Sequence, residues 1–145
     1  MWAVYKHEVP AISLLLEKGA NPAVQSTAAK YSHPTGSTAA AIAIEWDLVD
    51  AVEALEKGGC QAAKRYLDCL KSIYFIDPQT EKRPFRIMNL ITITQSNGYD
   101  ESVMKSLKIK ACQAGADGLT IPERQMGPRN TTYTTKVIVW EKVQP

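Results

Sequence analysis

The hydrophobic positions along this chain change period once. In the first half they recur at helical spacing. Ile12, Leu15 and Leu16 fall at i, i+3 and i+4, Pro10 suits the first turn of their helix, and Gly19 is the expected left-handed stop. The phrase returns at Ala51–Gly59, where apolar spacing again runs into Glu56-Lys57 and then glycine. The pattern predicts helices at 9–18, 38–45, 48–57 and 61–72, with Trp2–Tyr5 as the tail of an earlier helix and Lys6-His7 as a tight turn. Thr38 is the expected N-cap of the second of these, and Asp47 that of the helix carrying Leu48, Val49, Val52 and Leu55. In the fourth, Ala63, Tyr66, Leu67, Leu70 and Ile73 make one apolar stripe, opposite Lys64, Arg65, Asp68 and Lys71. The polar, proline-bounded stretch Asp77–Pro84 then reads as a boundary.

Beyond it the residues become β-branched. Strands are expected near 86–95, 118–122 and 131–143. Met88 and Leu90 differ in parity from Ile91 and Ile93, which predicts either two-sided burial or a bulge in the first strand. Ser96–Tyr99 reads as a turn. A helix opens at the cap residue Asp100, buries Val103, Leu107, Ala111 and Ala114, and stops at Gly115. Pro122–Asn130 reads as a loop. The fold class is therefore α+β, with helical hairpins over residues 1–76 and a small β-α-β-β domain over 84–145.

Two resemblances rest on particular motifs. Leu15-Leu16-Glu17-Lys18-Gly19-Ala20-Asn21-Pro22 resembles the end of the second helix and the following hairpin of an ankyrin repeat. Gly36, Thr38 and Ala43 match the Gly-x-Thr-Pro-Leu-His-x-Ala opening of the next unit, while Ala39, Ala40 and Ala41 replace its Pro, Leu and His. Gly19 to Gly59 spans 40 residues, against about 33 in that family, so the surplus falls in the loop Ala23–Pro34. Lys108, Ala111, Gly115, Ala116, Asp117, Gly118 and Leu119 resemble small bacterial domains that include the heavy-metal-binding family and the envelope-stress lipoprotein of the Rcs system. The first resemblance implies binding of another protein; the second implies a fold rather than an activity. The ankyrin-like match also has the chain opening inside a repeat. Either an apolar stripe with Trp2 and Val4 is exposed, or Trp2 folds back on the second domain. An exposed stripe, with a long final strand Thr131–Val143 if that strand lies on an edge, implies a homo-oligomer. Fewer than two units are present, so the helical part needs a further surface against which to bury its faces.

A net charge of +2 is too small to argue for nucleic acid, and Lys105, Lys108 and Lys110 read as a solvated helix face. No apolar run reaches transmembrane length, and Lys6, His7 and Glu8 break any signal-peptide pattern. A mature form that had lost its leader would look the same. The cysteines, Cys60, Cys69 and Cys112, are odd in number. Nine helical residues separate the first two by roughly 13 Å on opposite faces, so they do not bridge. Three reduced, mostly buried thiols in a cytoplasmic protein are expected.

Phosphate loop, nucleophile elbow and paired-histidine metal signatures are absent from the sequence. Cys112 near a helix C-terminus is a buried thiol rather than a nucleophile. His7 fits a structural turn. No catalytic residue, metal ligand or cofactor is expected. The reading is a non-enzymatic protein-interaction or adaptor protein of bacterial type; the alternative is a small-ligand or metal-responsive binding protein centred on the second domain. The long loop is either a merely tolerated insertion or the place where binding sits, with Lys30, Tyr31 and His33, together with Trp2, as the partner-binding candidates.

Overall fold

The structure, a computed structural model, describes residues 1–27, 33–96 and 100–142. It is α+β and divides into two compact units, Met1–Asp68 and Cys69–Pro145.

The first unit is built from two helix hairpins. α1 (Trp2–Tyr5) pairs with α2 (Val9–Glu17), and α3 (Ala39–Glu45) with α4 (Val49–Lys57). The hairpins stack, α1 on α3 and α2 on α4. Their turns repeat at an interval of 40 residues. His7 and Asp47 both take positive φ, 55° and 51°, and Gly19 and Gly59 do so at the far ends, 84° and 88°. His7 is thus a turn residue, as expected. Asp47 is not the helix cap it was expected to be. With φ positive it sits before the cap position, which Leu48 fills without a side-chain bond. Its carboxylate instead accepts the hydroxyl of buried Tyr66 at 2.9 Å. Burial, followed by that bond, raises the Tyr66 pKa well above the ordinary phenol range.

Thr38 does cap α3, its Oγ1 accepting the Ala41 amide at 3.1 Å. The small residues Ala39, Ala40 and Ala43 are buried there with Ile42, and Ala51, Val52 and Leu55 of α4 are buried with them. In α2 only Ile12 is fully buried; Leu15, expected on the apolar face, is 50% exposed. A Cβ at Gly58 would meet Leu16 Cδ1 at 2.6 Å, so a larger residue there would displace the Leu16 side chain between α2 and α4.

α5 (Gln61–Ser72) carries the predicted stripe, with Ala63 and Tyr66 buried. The second unit is a mixed five-stranded sheet with α6 (Asp100–Gln113) packed on it. Its strands are β1 (Phe75–Ile76), β2 (Phe85–Ser96), β3 (Gly118–Thr120), β4 (Glu123–Met126) and β5 (Asn130–Trp140). The order is β1-β3-β5-β2, with β4 also on β5; only β1 and β3 run parallel. Val103, Leu107 and Ala111 of α6, Leu119 of β3 and Val137 of β5 are fully buried. Ala114, expected on that face, is exposed because the helix already ends at Gln113. The register of β2 on β5 slips between Ile87 and Asn89, which places a bulge at Met88.

In this unit two further expectations fail and one condition goes unmet. Residues 123–126 are a strand rather than loop: every side chain of β4 is exposed, so no apolar alternation marks it. β5 lies inside the sheet, flanked by β2 on one side and by β3 and β4 on the other, so the final strand offers no free edge. The cysteines are not all reduced. Cys69 and Cys112 form a disulfide that ties the last turn of α5 to α6, leaving Cys60 as the free thiol. Asp117 anchors the end of β5, its Oδ2 accepting the Trp140 amide at 2.9 Å. Buried Thr135 donates to the Thr120 carbonyl at 2.6 Å.

Candidate functional site

The tips of the two hairpins bring three rings together. Tyr5 is the last residue of α1, and Trp46 is the C-cap of α3. The ring of Trp46 stands 5.3 Å from that of Tyr5, tilted by 53°. The His33 ring also lies 4.9 Å from that of Trp46, tilted by 44°. In the two equivalent turns Tyr5 and Glu45 each precede the turn residue, His7 or Asp47, by two positions, and Trp46 follows Glu45. Lys6 Nζ lies 5.7 Å from the Tyr5 ring centroid, and the Glu45 carboxylate reaches His33.

His33 arrives from the far end of the long loop. The base of that loop is clamped by main-chain bonds from the Ser26 amide to the Ser37 carbonyl, 2.9 Å, and from the Gly36 amide to the Ser26 carbonyl, 2.8 Å. Ser26 Oγ and Ser37 Oγ both donate to the Pro34 carbonyl, at 3.1 and 2.8 Å. The clamp fixes the chain next to His33, whose side chain is only 6% exposed. Its Nδ1 is 3.2 Å from Glu45 Oε2, within ion-pair reach when the ring is protonated. Neither ring nitrogen makes an aligned hydrogen bond among the described residues.

Of the residues expected to bind a partner, His33 joins this cluster and Trp2 is 65% exposed on α1. Lys30 and Tyr31 lie outside the described residues. Val4, which one of the two alternatives placed with Trp2 in an exposed stripe, is buried. Tyr5 and Trp46 were not singled out by the sequence. The available signal was their position: each immediately precedes or forms the cap of a helix whose turn recurs 40 residues away.

The second unit has its own cation–aromatic group. The Arg83 guanidinium lies 3.8 Å from the Trp140 ring centroid and bonds Glu81 and the Tyr74 hydroxyl. The Arg83 side chain holds the Glu81 carboxyl below the usual range. Among the described residues no group of three or more His, Cys, Asp or Glu side chains is arranged to hold a metal ion, and no helix is long and apolar enough to cross a membrane. Comparison with protein-family models, curated proteins and solved structures returned no match.

Proposed function

We propose that this chain is a non-enzymatic protein-interaction module of ankyrin-like type whose partner docks on the ring cluster of Tyr5, Trp46 and His33. The observation that carries the reading is Trp46 itself. It is 40% exposed and its ring is in contact with two others, those of Tyr5 and His33. Tryptophan and tyrosine dominate interface hot spots because they bury large area with few rotatable bonds. These contacts fix the ring before binding, so little side-chain entropy remains to be lost. Lys6 and Glu45 flank the cluster with one charge of each sign and supply a polar rim. The stacked hairpins and their repeated turns support the ankyrin-like element of the proposal.

The test is affinity capture from extracts of the source cell with wild-type and Trp46→Ala baits, each checked for fold by circular dichroism. A hot spot of 2 kcal/mol corresponds to about a 30-fold loss of affinity. Partners held by the wild type and lost by Trp46→Ala are expected. Identical capture by both baits removes the ring cluster as the docking site.

A further inference from the structure

The strand β2 ends the sheet on one side. It is 12 residues long and, among the described residues, pairs with β5 along one edge only. The Leu90 amide donates to its neighbour Asn89 Oδ1 at 2.8 Å rather than across the ladder. Antiparallel ladders alternate, so Thr92 and Thr94 likewise turn their main-chain N–H and C=O groups away from β5. Leu90 is 56% exposed and Ile87 53% exposed. Natural edge strands are usually blunted by charge, proline or a bulge. In β2 the charge, Arg86, and the bulge at Met88 both lie near its start. Asn89–Ser96 carries no charge, proline or glycine.

We propose that Asn89–Gln95 of β2 pairs antiparallel with the same segment of a second copy, about a twofold axis at Thr92, to make one sheet through both protomers. The sequence is self-complementary in that register. Ile91 lies opposite Ile93 of the other copy, and Ile93 opposite its Ile91, on the face of the sheet that carries α6. Both isoleucines are half-buried in the single chain, so each completes the burial of the other. Thr92 lies opposite its own copy, which continues the threonine pairs already formed across β2 and β5, Thr92 with Thr134 at 3.3 Å and Thr94 with Thr132 at 3.1 Å. Leu90 lies opposite Thr94, and Asn89 opposite Gln95. The register also disposes of the strand's one charge. Arg86 of the two copies end up roughly 40 Å apart at about 3.4 Å per residue, several Debye lengths at physiological salt. A foreign strand would satisfy the main chain equally well, but the paired isoleucines and threonines are supplied by this sequence to itself.

Light scattering from low to high micromolar concentration tests the pairing. The wild-type mass is expected to rise to twice that of the chain. Two variants are expected to stay monomeric. Thr92→Pro removes an outward-facing N–H while sparing the bonds to β5, and Leu90→Lys places charge on an exposed position beside the edge. Hydrogen exchange at the Thr92 and Thr94 amides is expected to slow with concentration in the wild type and not in Leu90→Lys. If Thr92→Pro unfolds, Leu90→Lys decides. A wild type that stays monomeric throughout leaves the edge to a foreign strand or to none, and overturns the proposal. So does a dimer that survives Leu90→Lys with fast exchange at Thr92. The Trp46 capture experiment reads a different surface and is unaffected by either result.

Discussion

The hydroxyl of Tyr66 is held protonated chiefly by burial and then by its bond to Asp47. An unfolded tyrosine ionises near pH 10. Above that pH the unfolded chain binds fewer protons than the folded one, so stability falls as pH rises. The slope approaches roughly 1.4 kcal/mol per pH unit while the folded hydroxyl stays neutral. Below pH 10 the contribution is fully present. Tyr66→Phe is expected to lose about 1 kcal/mol at neutral pH, the net value of one hydrogen bond, and to show a shallower alkaline decline. Urea titrations at neutral and alkaline pH compare the two, and parallel declines would show that Tyr66 does not govern the slope. Sequence reading assigned Asp47 to a cap because Asp before an apolar run usually is one. The positive φ at Asp47 overrode that preference, and the partner it found instead is 19 residues away.

At the scale of elements, boundaries were most legible where a stop residue or cap marks them. Gly19 and Thr38 end α2 and open α3 close to the expected positions. Thr38→Ala is expected to cost about 1 kcal/mol, because it orphans the Ala41 amide that now bonds Oγ1. Thermal unfolding of Thr38→Ser, which retains the acceptor, should lie near the wild type. Equal losses in both variants would assign the effect to packing of the threonine methyl. The strands were legible where they alternate or are β-branched, as in β2 and β5. β1 has two residues and β4 is exposed on every side chain, so neither carries a pattern. The order of strands was not legible either. β5 is long and rich in Thr and Val and would have been a hazard on an edge, yet it has neighbours on both sides; the long strand with a free edge is β2.

The whole molecule carries one covalent constraint that its sequence did not reveal. Cys69 and Cys112 are 43 residues apart and meet only because α6 packs on the sheet next to the end of α5. The loop-closure model assigns such a cross-link about 4 kcal/mol through the entropy it removes from the unfolded chain. Reduction, or Cys69→Ser with Cys112→Ser, is expected to lower the unfolding free energy of the second unit, read from urea titrations, by an amount of that order. Unchanged midpoints in dithiothreitol would show that the bond contributes nothing to stability. Disulfides persist in oxidising surroundings, so the argument for a cytoplasmic protein from three reduced thiols no longer stands.

What the sequence determined by itself was local: the helices with their stops, the two principal strands and the α+β class. Those features follow from backbone preference and hydrophobic period, which act over a few residues. Only the tertiary structure decided the disulfide, the free edge of β2, the bond between Tyr66 and Asp47 and the stacking of Tyr5, Trp46 and His33. Each of these joins residues far apart in the chain. Their meeting depends on how whole elements pack, and packing leaves no periodic trace in the sequence.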